Sequence, residues 1–358
     1  MKKIITLLLC LCVVLGLVAC GETEATYKLG MGVVVDLNSS ATNNAQVDAT
    51  VATVVLDADG KIVTCRIDAV QNKMDVTAGA VNTAATFQTK MEKGAAYGMG
   101  QAEITDANRW MDNNGDGVVK EWDAQAKAFE AYVVGKTATQ VAAMETQLVN
   151  GHNISTDDAL LSAGCTIQIG DFRDAVVKAC GDAQGMEFTT AKTFTLGVAA
   201  TSFVDSATAA ATAAANGTVA MYSDFACAVV ADGVVLASLN DAIQPTIGIT
   251  VAGEIATKNF TATKRELKEA YGMGQAEITD ANRWMDNNGD NIVLEWYKQS
   301  KAFSEYVVGK TATQIAGIET QLVNGHYIAA DAELLTAGCS IQITAIKAVV
   351  AKSANNAR

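Results

Sequence analysis

Tyr97 to Asp116 reads YGMGQAEITDANRWMDNNGD, and Tyr271 to Asp290 reads the same twenty residues unchanged. At the same offset of 174 residues the chain repeats YVVGKTATQ from Tyr132 at Tyr306, ETQLVNGH from Glu145 at Glu319, and AGCTIQI from Ala163 as AGCSIQI from Ala337. Such long-period self-similarity marks a tandem duplication, so whatever both copies do resides in these blocks. Upstream the copies have drifted, with YKLG at Tyr27 against FTLG at Phe194 and DADGKI at Asp57 against VADGVV at Val230.

The chain has 358 residues, half of them hydrophobic, which is enough for two units of domain size. The repeat places these at residues 27–183 and 193–352. A net charge of −13 with only 26 Lys and Arg excludes nucleic acid as a partner, because a phosphate backbone demands a cationic face.

Lys2 and Lys3 precede the apolar run Ile4 to Val18, too short for a comfortable membrane span, and Leu17-Val18-Ala19-Cys20 follows. This resembles a bacterial lipoprotein signal with its lipobox. The resemblance implies removal of residues 1–19, a lipid on Cys20, and a tether over residues 20–26 holding the protein on the outer face of a membrane. An ordinary secretory signal is the alternative. Five cysteines then remain, Cys65, Cys165, Cys180, Cys227 and Cys339, without a CxxC pair, which favours buried thiols over a disulfide framework or a zinc site.

Each copy opens with strand-like runs. Val47 to Leu56 and Lys61 to Asp68 flank Asp59-Gly60 as a β-hairpin, and Cys227 to Val230 with Val234 to Leu239 repeat it around Asp232-Gly233. After the twenty-residue block the signals turn helical. Trp122, Ala126, Phe129 and Val133 share one face, and Gly135 ends that helix. Thr137 to Gln140 is a capping box for a second helix with Val141, Met144 and Leu148 on its buried stripe, ended by Gly151. Alternation then predicts a strand over Cys165 to Ile169 with the Thr166 hydroxyl turned away from the core. A closing helix with Phe172, Ala175, Val176 and Ala179 inward follows. The fold class is α+β, each copy a mostly antiparallel sheet with packed helices.

The lipobox, the DGKI hairpin and the late Gly-small-Thr segment leading into a helix together resemble the FMN-binding domains of flavin-carrying cell-surface lipoproteins. YGM, KEW followed by Gln125, and YVVGKT are similar to two-domain flavinylated lipoproteins of Gram-positive extracellular electron transfer. The resemblance implies a tandem of FMN-binding-like domains in which a dedicated FMN transferase joins FMN by a phosphoester to the Thr of an Asp-x-x-Ser-Gly-Ala-Thr motif. Carried over, the acceptor is Thr166 beside Gly164, and in copy two Ser340 beside Gly338. Cys165 stands where Ala is usual, Ala163 where Ser is usual, and Leu160 where Asp is expected; Leu334 takes the Asp position in copy two. Tyr97, Met99 and Trp122, with Tyr271, Met273 and Trp296, are candidates to wall the flavin ring, against a plain core role; Trp110 and Trp284 belong to the same aromatic set.

Asp112 to Asp123 also follows the twelve-residue calcium loop. Asp112, Asn114 and Asp116 supply oxygens at positions one, three and five, Gly117 the turn, Val118 a carbonyl, and Asp123 the closing carboxylate, against a plain solvated turn. Copy two has Asn291 and Tyr297 at positions six and twelve, which favours calcium in repeat 1 only. His152 and His326, the two histidines, follow helix-ending glycines without a nucleophile pattern beside them.

The expected function is a lipid-anchored, extracytoplasmic FMN carrier that takes electrons from a membrane flavin or quinone oxidoreductase and passes them to external acceptors. No acid, base or nucleophile constellation suggests a turnover enzyme. The alternative is a flavin-free surface binding or structural lipoprotein braced by calcium.

Overall fold

The computed structural model describes residues 24–112, 115–286 and 289–358. Cys20 and its lipobox, like Asn114 of the candidate calcium loop, lie outside the described residues. The protein is mixed α/β with mostly antiparallel sheets and several helices.

The first repeat opens with a three-stranded meander: β1 (Ala25–Asp36), β2 (Asn44–Leu56) and β3 (Ile62–Asp75), with Leu29 opposite Val55 and Val54 opposite Cys65. Asp59-Gly60 turns β2 into β3 as expected, Gly60 having φ +74°. Ala25 and Thr26 already belong to β1, opposite Thr190 and Thr189. There follow α1 (Lys90–Lys93), a run of 3-10 turns between Gly94 and Asp112, α2 (Trp122–Val133), α3 (Ala138–Ala142), the hairpin β4 (Thr146–Val149) and β5 (His152–Ser155), α4 (Asp158–Ala163) and α5 (Gly170–Cys180). β6 (Met186–Thr190) then adds itself to β1, giving the sheet order β3-β2-β1-β6.

The second repeat takes the same course. β7 (Thr195–Val204), β8 (Gly217–Ala231) and β9 (Val234–Ile243) form the meander, extended by β10 (Thr246–Ile249) and β11 (Ile255–Asn259). Next come α6 (Lys264–Leu267), α7 (Trp296–Tyr306), α8 (Ala312–Ala316), the hairpin β12 (Thr320–Val323) and β13 (His326–Ala329), α9 (Ala332–Thr336) and α10 (Thr344–Asn355).

Alternation along the strands divides the apolar side chains between two faces. Leu29, Met31, Val33 and Val51 meet Leu196, Val198, Phe225 and Cys227 in one cluster between the two meanders. The opposite faces are covered by helices: Val54, Ile62 and Ile67 pack with Trp122, Phe129 and Phe172, and Ala226 and Val235 with Trp296, Phe303 and Ile346. Each closing helix lies close on its first strand. A Cβ at Gly30 would stand 2.1 Å from the Ala179 carbonyl oxygen, and one at Gly197 1.9 Å from that of Ser353. The repeats are also crossed by a reciprocal pair of ion pairs, Lys178 with Glu266 and Lys352 with Glu92, both at 2.7 Å. Their symmetry gives the contact an isologous, two-fold character.

Two sequence expectations are corrected here. The helix begun by the Thr137 capping box ends at Ala142, with Val141 buried and Met144 at the edge of the core, while Leu148 lies in β4 and is 70% exposed. Asn150-Gly151, with φ of 50° and 84°, makes the tight hairpin turn that this dipeptide favours, and strand pairing outcompetes one further helical turn. Cys165 to Ile169 is not a strand. Its one bridge joins Gln168 to Ile154, and Thr166 is buried together with Cys165, Ile167 and Ile169.

Candidate functional site

The reason for the second correction lies in Gln125, wholly buried on α2. Its Oε1 accepts from the backbone N–H of Thr166 at 2.8 Å, from that of Ile167 at 3.0 Å and from the Thr166 hydroxyl at 3.2 Å. Its Nε2 donates to the Lys120 carbonyl at 2.9 Å and touches the Met99 sulfur at 3.7 Å. One carboxamide thus replaces the neighbouring strand that the segment lacks, as buried backbone groups require a partner. Gln299 repeats the arrangement with Ser340 N–H at 2.8 Å, Ile341 N–H at 3.0 Å, the Ser340 hydroxyl at 3.3 Å and Leu294 O at 2.8 Å.

The Thr166 hydroxyl also donates to the Met111 carbonyl at 2.6 Å, and Ser340 does the same to Met285. Thr166 is 3% exposed and Ser340 5%, so neither hydroxyl faces outward as alternation had predicted. They are covered by the strap between Gly94 and Met111 and its equivalent. The strap is tied down by Met99 N–H to Glu121 Oε2 at 3.0 Å and by Asn150 Nδ2 to the Asp106 carbonyl at 2.9 Å. Its half-buried Trp110 stacks on His152 with centroids 3.7 Å apart, and Trp284 on His326 at 3.9 Å. His152 Nδ1 in turn lies 2.9 Å from Gln168 Oε1. Each histidine thus ties its hairpin to the strap.

Gly164 caps α4 with φ +96°, a conformation that disfavours a side chain, and the Lys120 side chain lies across it. Asp157, out of register for the flavin motif, is the N-cap of α4, accepting from Ala159 and Leu160 N–H and from the Tyr132 hydroxyl at 2.5 Å. Burial pushes the Cys165 and Cys339 thiols up to about 12, so both stay protonated and unreactive.

The proposed ring walls divide. Trp122 and Trp296 are core residues, each 3% exposed, and Trp122 packs edge-on against Phe172 at 5.5 Å; neither presents a face to a ligand. Tyr97 and Met99, like Tyr271 and Met273, sit half-buried at the margin of the helix-covered clusters. Lys90 Nζ lies 5.0 Å from the Tyr97 ring centroid, and Lys264 Nζ 4.7 Å from that of Tyr271.

In the calcium-like loop, Asp112 accepts from Gly117 N–H at 3.2 Å and Asp116 from Val118 N–H at 2.8 Å. Asp123, in the first turn of α2, is held by Lys127 Nζ at 2.6 Å. Among the described residues no three His, Cys, Asp or Glu side chains gather as a metal-ligand group. Nor is any helix among them long and apolar enough to cross a membrane.

Sequence reasoning passed over Gln125, Lys120 and the Met111 carbonyl as site groups. A signal for the first was present: Trp-x-x-Gln stands at Trp122 and again at Trp296. No protein-family model, curated protein or solved structure matches the chain.

Proposed function

We propose that the protein is a membrane-anchored, extracytoplasmic carrier of FMN, a tandem of two FMN-binding-like units that relays electrons from a membrane flavin or quinone oxidoreductase to external acceptors. The observation that supports this reading is the hydroxyl kept at one point in both repeats. It is Thr in one and Ser in the other, between a buried Gln and a strap bearing Tyr, Met and Trp. A phosphoester needs a hydroxyl, and either residue supplies one. Bound flavin would supply the redox chemistry; the chain's own groups would hold and shield it. Attachment at Thr166 requires the strap to lift and the bond to Met111 to break. The test is coexpression of the full chain with an FMN transferase proven on another target. The expected result is one added FMN mass that Thr166→Ala removes; an unmodified wild-type chain counts against the reading.

A second reading is favoured by the 3% exposure of Thr166. In it the hydroxyl serves only to fasten the strap, and the protein is a flavin-free surface binding or structural lipoprotein, braced by calcium in repeat 1. Calcium then has to draw Asp123 away from Lys127. Calorimetry on the full chain is expected to find one site, lost in Asp112→Ala and tightened in Lys127→Ala. Binding untouched by both substitutions argues against that site.

A further inference from the structure

Arg265 on α6 is 5% exposed, yet it gives only one of its guanidinium nitrogens to the protein. Its Nη2 donates to Asp182 Oδ2 at 3.0 Å, to Oδ1 at 3.3 Å and to the Gln184 carbonyl at 2.8 Å. Among the described residues its Nε and Nη1 have no hydrogen-bond partner, and neither is sealed off from solvent. Arg265 lines a cleft of about 520 Å³ between the repeats, whose apolar walls are Leu239 of β9, Met186 of β6 and the Tyr297 ring of α7. That volume is in the usual range of small-molecule sites, roughly 300–1,000 Å³. The Tyr297 hydroxyl fixes its ring by donating to Glu269 at 2.6 Å. Lys28 of β1 also lines the cleft and makes no ion pair among the described residues.

In repeat 1 the corresponding space is filled by the chain itself. There Met91 stands where repeat 2 has Arg265, Arg66 where it has Leu239, Glu130 where it has Ser304, and Arg358 where it has Gln184. The Arg358 guanidinium lies on Glu130 at 3.0 and 3.1 Å, Arg66 donates to the Arg358 carbonyl, and about 310 Å³ is left. In repeat 2 Ser304 accepts from Asn240 at 2.9 Å and Gln184 turns to the Arg265 carbonyl at 2.7 Å, so neither fills the cleft.

We propose that this cleft binds a small organic monocarboxylate, its oxygens on the free N–H groups of Arg265 with Lys28 as second cation, and its apolar body along Leu239, Met186 and Tyr297. A guanidinium held out of water with N–H groups to spare favours an oxyanion, and the charge-assisted bonds offset the desolvation of both partners. Asp182 already balances part of the Arg265 charge, and Glu187 and Glu305 stand exposed in the lining, so a single negative charge suits the cleft better than a phosphate dianion. None of the residues around Thr166 or Ser340 lines it, so the proposal stands apart from the flavin reading.

The experiment is calorimetry of the full chain with sodium octanoate, with octanamide and inorganic phosphate as controls. One octanoate per chain is expected, octanamide binding at least about tenfold more weakly for want of the charge, and phosphate not at all. Arg265→Lys keeps a cation for Asp182 but loses the planar donor set, and is expected to weaken octanoate about tenfold or more. Ala183→Trp, on an exposed residue of the lining, is expected to fill the cleft and abolish binding with the melting temperature unchanged. Absence of octanoate binding, binding untouched by Ala183→Trp, or octanamide or phosphate binding as well as octanoate overturns the proposal.

Discussion

Replacing Gln125 with Leu keeps much of the side chain's bulk on α2 but removes both ends of its carboxamide. The Thr166 and Ile167 N–H groups and the Lys120 carbonyl then lose the partners they hold at 2.8, 3.0 and 2.9 Å. Leaving a buried backbone group unpaired costs about 1–3 kcal/mol, so three of them amount to roughly 3–6 kcal/mol after some relaxation. That is a large part of the ~5–15 kcal/mol by which a domain is ordinarily stable. Gln125→Glu keeps the accepting oxygen but puts an ionisable carboxyl in a wholly buried site against the Lys120 carbonyl, so its cost is expected to be large at neutral pH and to shrink as acid protonates the carboxyl and restores a donor. Urea unfolding followed by tryptophan fluorescence and circular dichroism measures both, with an unchanged denaturant slope marking a pure stability effect. Gln299→Leu provides an internal replicate, because its contacts agree with those of Gln125 to within 0.1 Å on the three backbone partners. Losses below about 1 kcal/mol for both leucine variants would refute the view that this carboxamide organises the segment.

Other consequences are open to measurement. Leu148→Lys is expected to change stability by less than about 0.5 kcal/mol, since a side chain 70% exposed on β4 has little packing to lose; a core-sized loss would restore the helical reading. Burial raises the Asp224 carboxyl from 3.8 to about 7, opposed by the Lys264 ammonium, and its Oδ2 has no hydrogen-bond partner. Because the folded value lies above the unfolded one, its contribution to stability is full below about pH 4 and is lost as the pH rises towards 7. Asp224→Asn should therefore stabilise the protein more at pH 8 than at pH 4; thermal melts showing the reverse order would exclude a buried, ionising Asp224. Finally, Cys20→Ala is expected to release the protein to the medium or leave it unprocessed. A variant that stays membrane-bound and normally processed removes the lipobox from consideration.

The amino-acid sequence by itself determined those features that short-range rules control. The offset of 174 residues, the Asp59-Gly60 hairpin, the α2 face of Trp122, Ala126, Phe129 and Val133, and the Thr137 cap can all be read from local spacing, because period and capping depend on neighbours a few residues apart. Local rules also had the means to place Leu148 correctly, since Asn150-Gly151 is a hairpin turn, but the stripe of Val141, Met144 and Leu148 fits a helix equally well. Tertiary structure alone decided the state of Thr166. Alternation assigns it an outward hydroxyl on the assumption of a strand, whereas its actual partners, Gln125 and Met111, lie 41 and 55 residues away in the chain. Likewise the single apolar cluster between the two meanders joins strands from both repeats, and the ion pairs Lys178–Glu266 and Lys352–Glu92 cross between them. Such contacts are chosen by complementary surfaces meeting in space, and no local pattern in either partner encodes the other.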